Sequence, residues 1–110
     1  NGALVVAESL ADLGGLTVAL RAYRLSLKNG RAPVLDGLTG EQRFFIGWAQ
    51  MWRTRERDAY VRSTLETNPY LPPALRANAA TSNLDAFVEA FGVKPGDRLY
   101  RAPAERIRIW

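Results

Sequence analysis

Histidine and cysteine are both absent from this chain of 110 residues. Without histidine, the chain taken alone has no imidazole general base, no His-based catalytic triad and no imidazole metal ligand. Without cysteine it has no disulfide framework and no thiolate metal site, and the redox state of its compartment stays open. These two absences exclude the commonest protein zinc sites from this chain by itself.

Long hydrophobic runs are also absent. No apolar stretch approaches the roughly 18 to 20 residues that span a bilayer, and the start lacks the basic end and cleavage pattern of a signal peptide. We therefore expect no membrane contact from this segment. The first residue is Asn1 rather than Met, which suggests a mature or excised piece and leaves the localisation unknown. A hydrophobic content of 47% with three Trp suits one small globular domain or part of a larger one.

Two carboxylates, Glu8 and Asp12, are the only charged side chains among the first twenty residues. In a helix, a spacing of four places both on one face about one turn apart, on an element that is otherwise apolar nearly all round. Desolvating an unpaired carboxylate costs several kcal/mol, so such a pair is expected to meet a cation, a metal ion or a set of hydrogen bonds. A purely structural ion pair or helix cap is the alternative interpretation.

The net charge of +4 comes mainly from arginine, since the chain has thirteen Arg and two Lys. The arginines cluster at 53–62 and 98–108. Basic clusters can bind nucleic acid, but acidic residues interleave with the first cluster. In the second, Arg106 and Arg108 alternate with isoleucines as the solvated side of a strand would. No aromatic platform motif or Gly-rich phosphate loop accompanies them. We interpret these arginines as solvated or ion-paired and expect no nucleic-acid partner.

Apolar spacing predicts a mainly α-helical unit of about four helices with a short extended C-terminal tail or terminal strand. The first helix closes at the Asn29-Gly30 pair, with a break at Gly14-Gly15 as the alternative. Thr39 and Gln42 predict a capping box before the second helix. The other predicted elements are a core-forming second helix over 44–52, a polar third helix over 56–65, a non-helical Pro-rich segment over 67–73, and a fourth helix capped by Ser82 or Asn83 and ended by Gly92.

A set of motifs runs in order along the chain. They are Asn1-Gly-x-Leu, Glu8-Ser-Leu-Ala-Asp12-Leu-Gly-Gly, Gly37-Leu-Thr-x-Glu-Gln-x-Phe-Phe, Phe45-Ile-x-x-Ala-Gln-x-Trp52, the Arg76 segment, Ala90-Phe91 and a terminal Ile-Trp. This collinear set resembles the C-terminal end of the neprilysin and endothelin-converting-enzyme family of zinc metallopeptidases, in particular its bacterial oligopeptidase members.

The resemblance implies that residues 1–110 are the C-terminal portion of a larger, zincin-like catalytic domain that binds one zinc ion. It also implies that Glu8 is the third zinc ligand, beside two histidines of an upstream His-Glu-x-x-His helix, and that Asp12 orients one of those histidines. Carboxylate oxygens are standard zinc ligands, and carboxylates commonly support a ligating imidazole. Because that helix is missing here, this chain alone is expected to be inactive and to bind zinc weakly.

Two further site residues follow from the resemblance. Arg76 matches a family arginine that binds a backbone carbonyl of the substrate, with a plain salt bridge as the alternative. Six residues earlier the family has a histidine that donates a hydrogen bond to the tetrahedral oxyanion, and this chain has Tyr70. A phenol is still a donor, so Tyr70 is a candidate for that role. An ordinary packed or surface tyrosine is the alternative.

Two hypotheses of different classes result. In the first, the chain contributes the third zinc ligand and substrate contacts to a zinc-dependent metalloendopeptidase, in which zinc-activated water attacks a peptide and the upstream Glu is the general base. Its partners are then a peptide substrate and the remainder of the parent polypeptide, and the family suggests an extracytoplasmic location, periplasmic or secreted. In the second, the chain is a non-enzymatic basic helical module that binds a protein or nucleic acid. Because its apolar faces lack partners, the isolated chain is expected to self-associate.

Overall fold

The mainly α-helical architecture expected from the sequence is confirmed by the computed structural model, which describes residues 2–109. Asn1 and Trp110, which begin and end the matched motifs, lie outside the described residues. Apart from one isolated β-bridge between Leu35 and Leu38, the described residues contain no strand, so the C-terminal segment is an irregular tail. The helices are α1 (Gly2–Ser26), α2 (Gly40–Met51), α3 (Asp58–Thr64), α4 (Pro73–Thr81) and α5 (Asp85–Phe91), followed by a 3-10 turn at Pro103–Glu105.

Helix α1 runs through Gly14-Gly15 without interruption, so the alternative of a break there is wrong. Gly14 is buried and Gly15 is exposed. A glycine within a helix costs about 1 kcal/mol relative to Ala. The face of α1 that contains Leu16 and Leu20 packs against α4.

Helix α2 begins with the predicted capping box. The backbone N–H of Gln42 donates to Oγ1 of Thr39 at 3.2 Å, and the N–H of Thr39 donates to Oε1 of Gln42 at 2.9 Å. Phe45 is 2% exposed and joins Leu16, Leu20 and Ala80 in the core, which confirms the predicted core role of this helix. Since α2 packs on both α4 and α5, it holds the C-terminal half of the chain together.

Helix α4 is the element that the sequence analysis does not predict. The Pro-rich segment before it is non-helical as expected, and α4 begins directly at Pro73. Proline is favoured in the first turn of a helix, because its missing N–H would have no intrahelical acceptor there and its φ angle is already helical. The last proline of the segment therefore begins a helix instead of continuing the loop.

The predicted caps of the last helix, Ser82 and Asn83, are wrong. Both residues follow the end of α4 directly, and their side chains donate back to the carbonyl of Ala79, at 3.2 Å from Ser82 and 2.8 Å from Asn83. Helix α5 instead begins after Leu84, with no side-chain cap. Its predicted end is confirmed, because Gly92 adopts the left-handed conformation (φ 61°) that favours glycine after a helix.

The C-terminal tail is tied to the start of α5. Nη1 of Arg106 and Nη2 of Arg108 donate to the two carboxylate oxygens of Asp85, at 2.6 and 3.0 Å. The backbone N–H of Ile107 donates to Oδ1 of Asn83 at 2.9 Å. The Arg106 side chain is only 7% exposed, so it is ion-paired and not solvated. The hydrogen bond from Arg106 is also the main reason why the pKa of Asp85 lies below its ordinary value.

Helix α1 is long and apolar enough to cross a membrane when judged by length and composition. An 18-residue window of α1 has a mean hydropathy of 1.6, because it contains no charged residues other than Glu8 and Asp12. This window is not an uninterrupted apolar stretch, because the two carboxylates lie within it. The same test is passed by core helices of soluble proteins and by signal sequences, so it is weak evidence. One face of α1 packs against α4, and 22% of the window is buried.

The other faces of α1 leave apolar side chains in contact with solvent, namely Leu4, Val6, Leu10, Val18 and Leu25. We expect the isolated chain to self-associate through these side chains, because a contiguous exposed apolar surface favours association. Sizing and light scattering at high micromolar concentration measure the association. Replacing Val6 and Leu10 with Gln is expected to reduce it, whereas Val34→Thr, an exposed loop position, is the matched control. A monodisperse monomer of the unaltered chain would contradict the prediction.

Candidate functional site

An ion pair between Asp12 of α1 and Arg76 of α4 is the centre of the candidate site. Nε of Arg76 donates to Oδ2 of Asp12 at 2.6 Å, and Nη2 donates to Oδ1 at 2.7 Å. The side chains are 13% and 17% exposed, so both charges are largely withdrawn from water. Two parallel charge-assisted hydrogen bonds of this kind are among the strongest that side chains form. Arg76 is therefore the cation that pairs with one of the two helical carboxylates, Asp12.

Two aromatic rings flank the guanidinium group of Arg76. Its Cζ atom lies 4.0 Å from the ring centroid of Trp52, the residue directly after α2, and 4.8 Å from that of Tyr70, in the loop before α4. Both distances are within the range of a cation–π interaction. Three segments that are distant in sequence therefore meet at one side chain.

Hydrogen bonding to Asp12 is the main cause of a raised pKa at Arg76, with charge attraction from Asp12, Tyr70 and Glu8 adding to it against the effect of burial. The guanidinium is thus charged at any working pH. The ion pair uses two of its five N–H groups, and within residues 2–109 the other three have no acceptor. They remain available for a ligand.

Glu8 lies one turn before Asp12 on α1 and is partly buried. Its attraction to Arg76 places it within electrostatic reach of the ion pair. Within the described part of the chain its carboxylate has neither a hydrogen bond nor an ion pair, so its oxygens are uncommitted. Carboxylate oxygens are among the ligands that bind zinc in proteins. Among residues 2–109, however, no three potential metal ligands come together.

Tyr70 is 43% exposed, and its backbone N–H is held by the side-chain oxygen of Asn68 at 3.0 Å. This short-range bond is typical of turns that begin with Asn. The Tyr70 hydroxyl has no hydrogen-bond partner among the described residues. The side chain also lines a cavity of about 220 Å³ between α1, α3 and the Pro-rich loop; the other lining residues include Val5, Tyr60, Val61, Leu71 and Leu75.

The structure thus brings two of the predicted site residues, Asp12 and Tyr70, into contact with a third, Arg76, while Glu8 lies one helical turn from Asp12. Sequence reasoning missed Trp52, which was assigned to a core-packing stripe. Trp52 is the last residue of the Phe45-Ile-x-x-Ala-Gln-x-Trp52 motif, but its partner Arg76 lies 24 positions downstream, and no spacing rule connects the two. Its contact with Arg76 follows only from the packing of α2 against α4.

Known proteins match this chain over all or nearly all of its length. The family model described as Peptidase family M13 matches residues 1–107. The chain is 38% identical to the neutral endopeptidase of Lactococcus lactis subsp. lactis, 36% to neprilysin-1 of Caenorhabditis elegans and 35% to endothelin-converting enzyme 1 of Cavia porcellus. These alignments span 100% of this chain and 16%, 15% and 15% of the relatives, so the chain covers about one sixth of their length.

Among solved structures, the chain is similar to the zinc metalloprotease Zmp1 of Mycobacterium tuberculosis. Its structures in an open state and in complex with an inhibitor both match with a TM-score of 0.95 and 50% sequence identity. The matched region covers 99% of this chain and 17% of that protein. The helical arrangement around the Asp12–Arg76 pair therefore has a close counterpart in a solved zinc metalloprotease.

The Asp12–Arg76 pair is expected to contribute more to stability than a solvated pair of similar geometry. In a double-mutant cycle with Asp12→Asn and Arg76→Met, we expect a coupling energy of about 1–3 kcal/mol, because each variant leaves a partly buried charge without its partner. The matched control is Arg24 with Glu41, which also meet at 2.6 Å but are 50% and 31% exposed. There we expect about 0.5 kcal/mol or less. Urea unfolding measures both, and equal coupling in the two pairs would contradict the prediction.

Proposed function

Since the chain belongs to peptidase family M13, we propose that it is the C-terminal part of the catalytic domain of a zinc-dependent metalloendopeptidase and is inactive alone. The observation that carries this proposal is the convergence of Asp12, Arg76 and Tyr70, with Glu8 one turn away. The chain has no histidine, so two zinc ligands and the general base would come from a His-Glu-x-x-His helix in the remainder of the polypeptide.

In this proposal Glu8 is the third zinc ligand. Its carboxylate is partly buried, uncommitted within residues 2–109, and on the same helical face as Asp12. These properties suit a metal ligand better than a surface carboxylate, which would be solvated. When bound, zinc supplies Lewis-acid activation of the peptide carbonyl and of water. Glu8 supplies one negatively charged oxygen to that site and holds it against α1.

Asp12 has two tasks in this arrangement. Each of its oxygens accepts one hydrogen bond from Arg76, and a carboxylate has about four acceptor positions in all. Asp12 can therefore also accept the N–H of a zinc-ligating histidine, as carboxylates near zinc commonly do. It would thus fix the orientation of that ring and of Arg76 at the same time.

Arg76 is proposed to bind a backbone carbonyl of the peptide substrate. Three of its N–H groups are uncommitted, and the ion pair together with the two rings holds the guanidinium in place before a substrate arrives. Groups that are positioned in advance lose little entropy on binding. Tyr70, beside it, is proposed to donate a hydrogen bond from its hydroxyl to the oxyanion that forms when the peptide carbonyl is attacked.

The alternative of a non-enzymatic basic module has no observation in its favour among the described residues. Two arginines of the C-terminal cluster, Arg106 and Arg108, form ion pairs with Asp85. We therefore propose a peptide substrate and the rest of the parent polypeptide as partners, no nucleic acid, and an extracytoplasmic location in keeping with the family resemblance.

The role of Glu8 is tested in the whole polypeptide by Glu8→Gln. We expect the zinc content measured by mass spectrometry to fall below one ion per chain and peptide cleavage to fall at least about 100-fold, because a neutral amide is a poorer zinc ligand. Glu66→Gln, at an exposed position with no side-chain bond in the described residues, is the matched control and should change neither. Full zinc content in Glu8→Gln would reject the assignment.

The role of the Tyr70 hydroxyl is tested by Tyr70→Phe, which keeps the ring against Arg76 and removes only the donor. We expect kcat to fall about 10²- to 10³-fold, the usual effect of losing one oxyanion donor. Tyr60→Phe, which removes a hydroxyl from another tyrosine lining the same cavity, should leave kcat unchanged. If Tyr70→Phe retains full kcat, Tyr70 contributes no hydrogen bond to the oxyanion.

A further inference from the structure

We infer that Trp52 is a positioning residue for Arg76, acting through the contact of its indole face with the guanidinium. The inference rests on the proposed function, in which Arg76 binds the substrate carbonyl. It goes beyond that proposal because Trp52 needs no contact with zinc or with the reacting atoms. The structure shows the contact at 4.0 Å, shorter than the 4.8 Å contact with Tyr70.

The ion pair alone does not fix the plane of the guanidinium. Asp12 binds one edge of Arg76 through Nε and Nη2, and the group can still tilt about the line that joins the two residues. A flat ring over Cζ removes this freedom, because tilting would separate the cation from the ring face. The direction of the three remaining N–H groups is then set by Trp52 as well as by Asp12.

Trp52 is itself anchored to the helix that carries Arg76. Its ring lies against that of Trp48 in an edge-to-face arrangement, with centroids 5.4 Å apart. Nε1 of Trp48 donates to the backbone carbonyl of Ala77, the residue after Arg76, at 3.1 Å. The end of α2 and this turn of α4 are therefore held together by one hydrogen bond and by the contact between the Trp52 ring and Arg76.

The indole N–H of Trp52 has no hydrogen-bond partner although its nitrogen is buried. Within residues 2–109 it is the one buried side-chain nitrogen or oxygen in this situation. Buried donors without acceptors are uncommon because they reduce stability. The ring is thus oriented so that its face contacts Arg76 while its N–H has no acceptor. This orientation is consistent with a role for the face of the ring in holding Arg76.

Substitutions of Trp52 in the whole, zinc-loaded polypeptide separate a positioning role from simple filling of space. Trp52→Phe keeps an aromatic face and removes the unpaired N–H, so kcat/KM for peptide cleavage should stay within about threefold. Trp52→Leu removes the face, and kcat/KM should fall about tenfold, within the range expected for a lost cation–π contact. If Trp52→Leu does not fold, Trp52→Met provides the same test. The control Phe44→Leu removes a different ring of α2, which stacks on Tyr23 of α1.

A double-mutant cycle with Arg76→Met provides the readout that a structural role would not change. If Trp52 acts through Arg76, Trp52→Leu has less than a twofold further effect once Arg76 is replaced. Equal effects of Trp52→Leu with and without Arg76 would overturn the inference, as would equal losses in Trp52→Phe, Trp52→Leu and Phe44→Leu. Those results would leave the proposed function intact. No chelator-sensitive cleavage by the unaltered polypeptide would instead overturn the proposed function, and this inference with it.

Discussion

The two-pronged ion pair between Asp12 and Arg76 is the interaction on which the rest of the site depends. It joins α1 to α4 across 64 positions of sequence and places two opposite charges where little water reaches them. Neither charge is stable there without the other, because desolvation of a single ion is costly. The pair therefore fixes how the two helices approach, and through Arg76 it fixes where the Tyr70 loop and the end of α2 meet them.

A second set of polar contacts holds the C-terminal end of α4 and the tail. Thr81, Ser82 and Asn83 are buried, yet all three donate to backbone carbonyls of α4, and Asn83 also accepts from the tail. Asp85 is shared by two arginines of that tail. Since these groups are satisfied internally, they hold the end of α4, the start of α5 and the tail together.

Helix α1 has the reverse of the usual surface-helix pattern, because Asp12 pairs with α4 while several large apolar side chains face solvent. This pattern agrees with a chain that spans about one sixth of its relatives, and it supports the proposal that further polypeptide packs on α1. It also explains why α1 passes a membrane test based on length and hydropathy. Both properties have one origin, the scarcity of charge along 25 residues.

Much of the architecture could be predicted from the sequence, because helical periodicity, the Thr39–Gln42 box and the stop at Gly92 are local signals. The prediction failed where one local signal had two meanings. Pro73 suits a loop or the first turn of a helix, and the side chain of Asn83 can cap the next helix or close the previous one. Only the packing of α4 against its neighbours decides between them.

For the site, the sequence by itself determined that Glu8 and Asp12 share a helical face and that a buried carboxylate there requires a partner. The family resemblance added Arg76 and Tyr70 as candidates. Only the tertiary structure decided that Arg76 is that partner and that Trp52 covers it. The physical reason is that spacing along a helix fixes which residues share a face, whereas the residues opposite come from helices whose approach depends on the whole core.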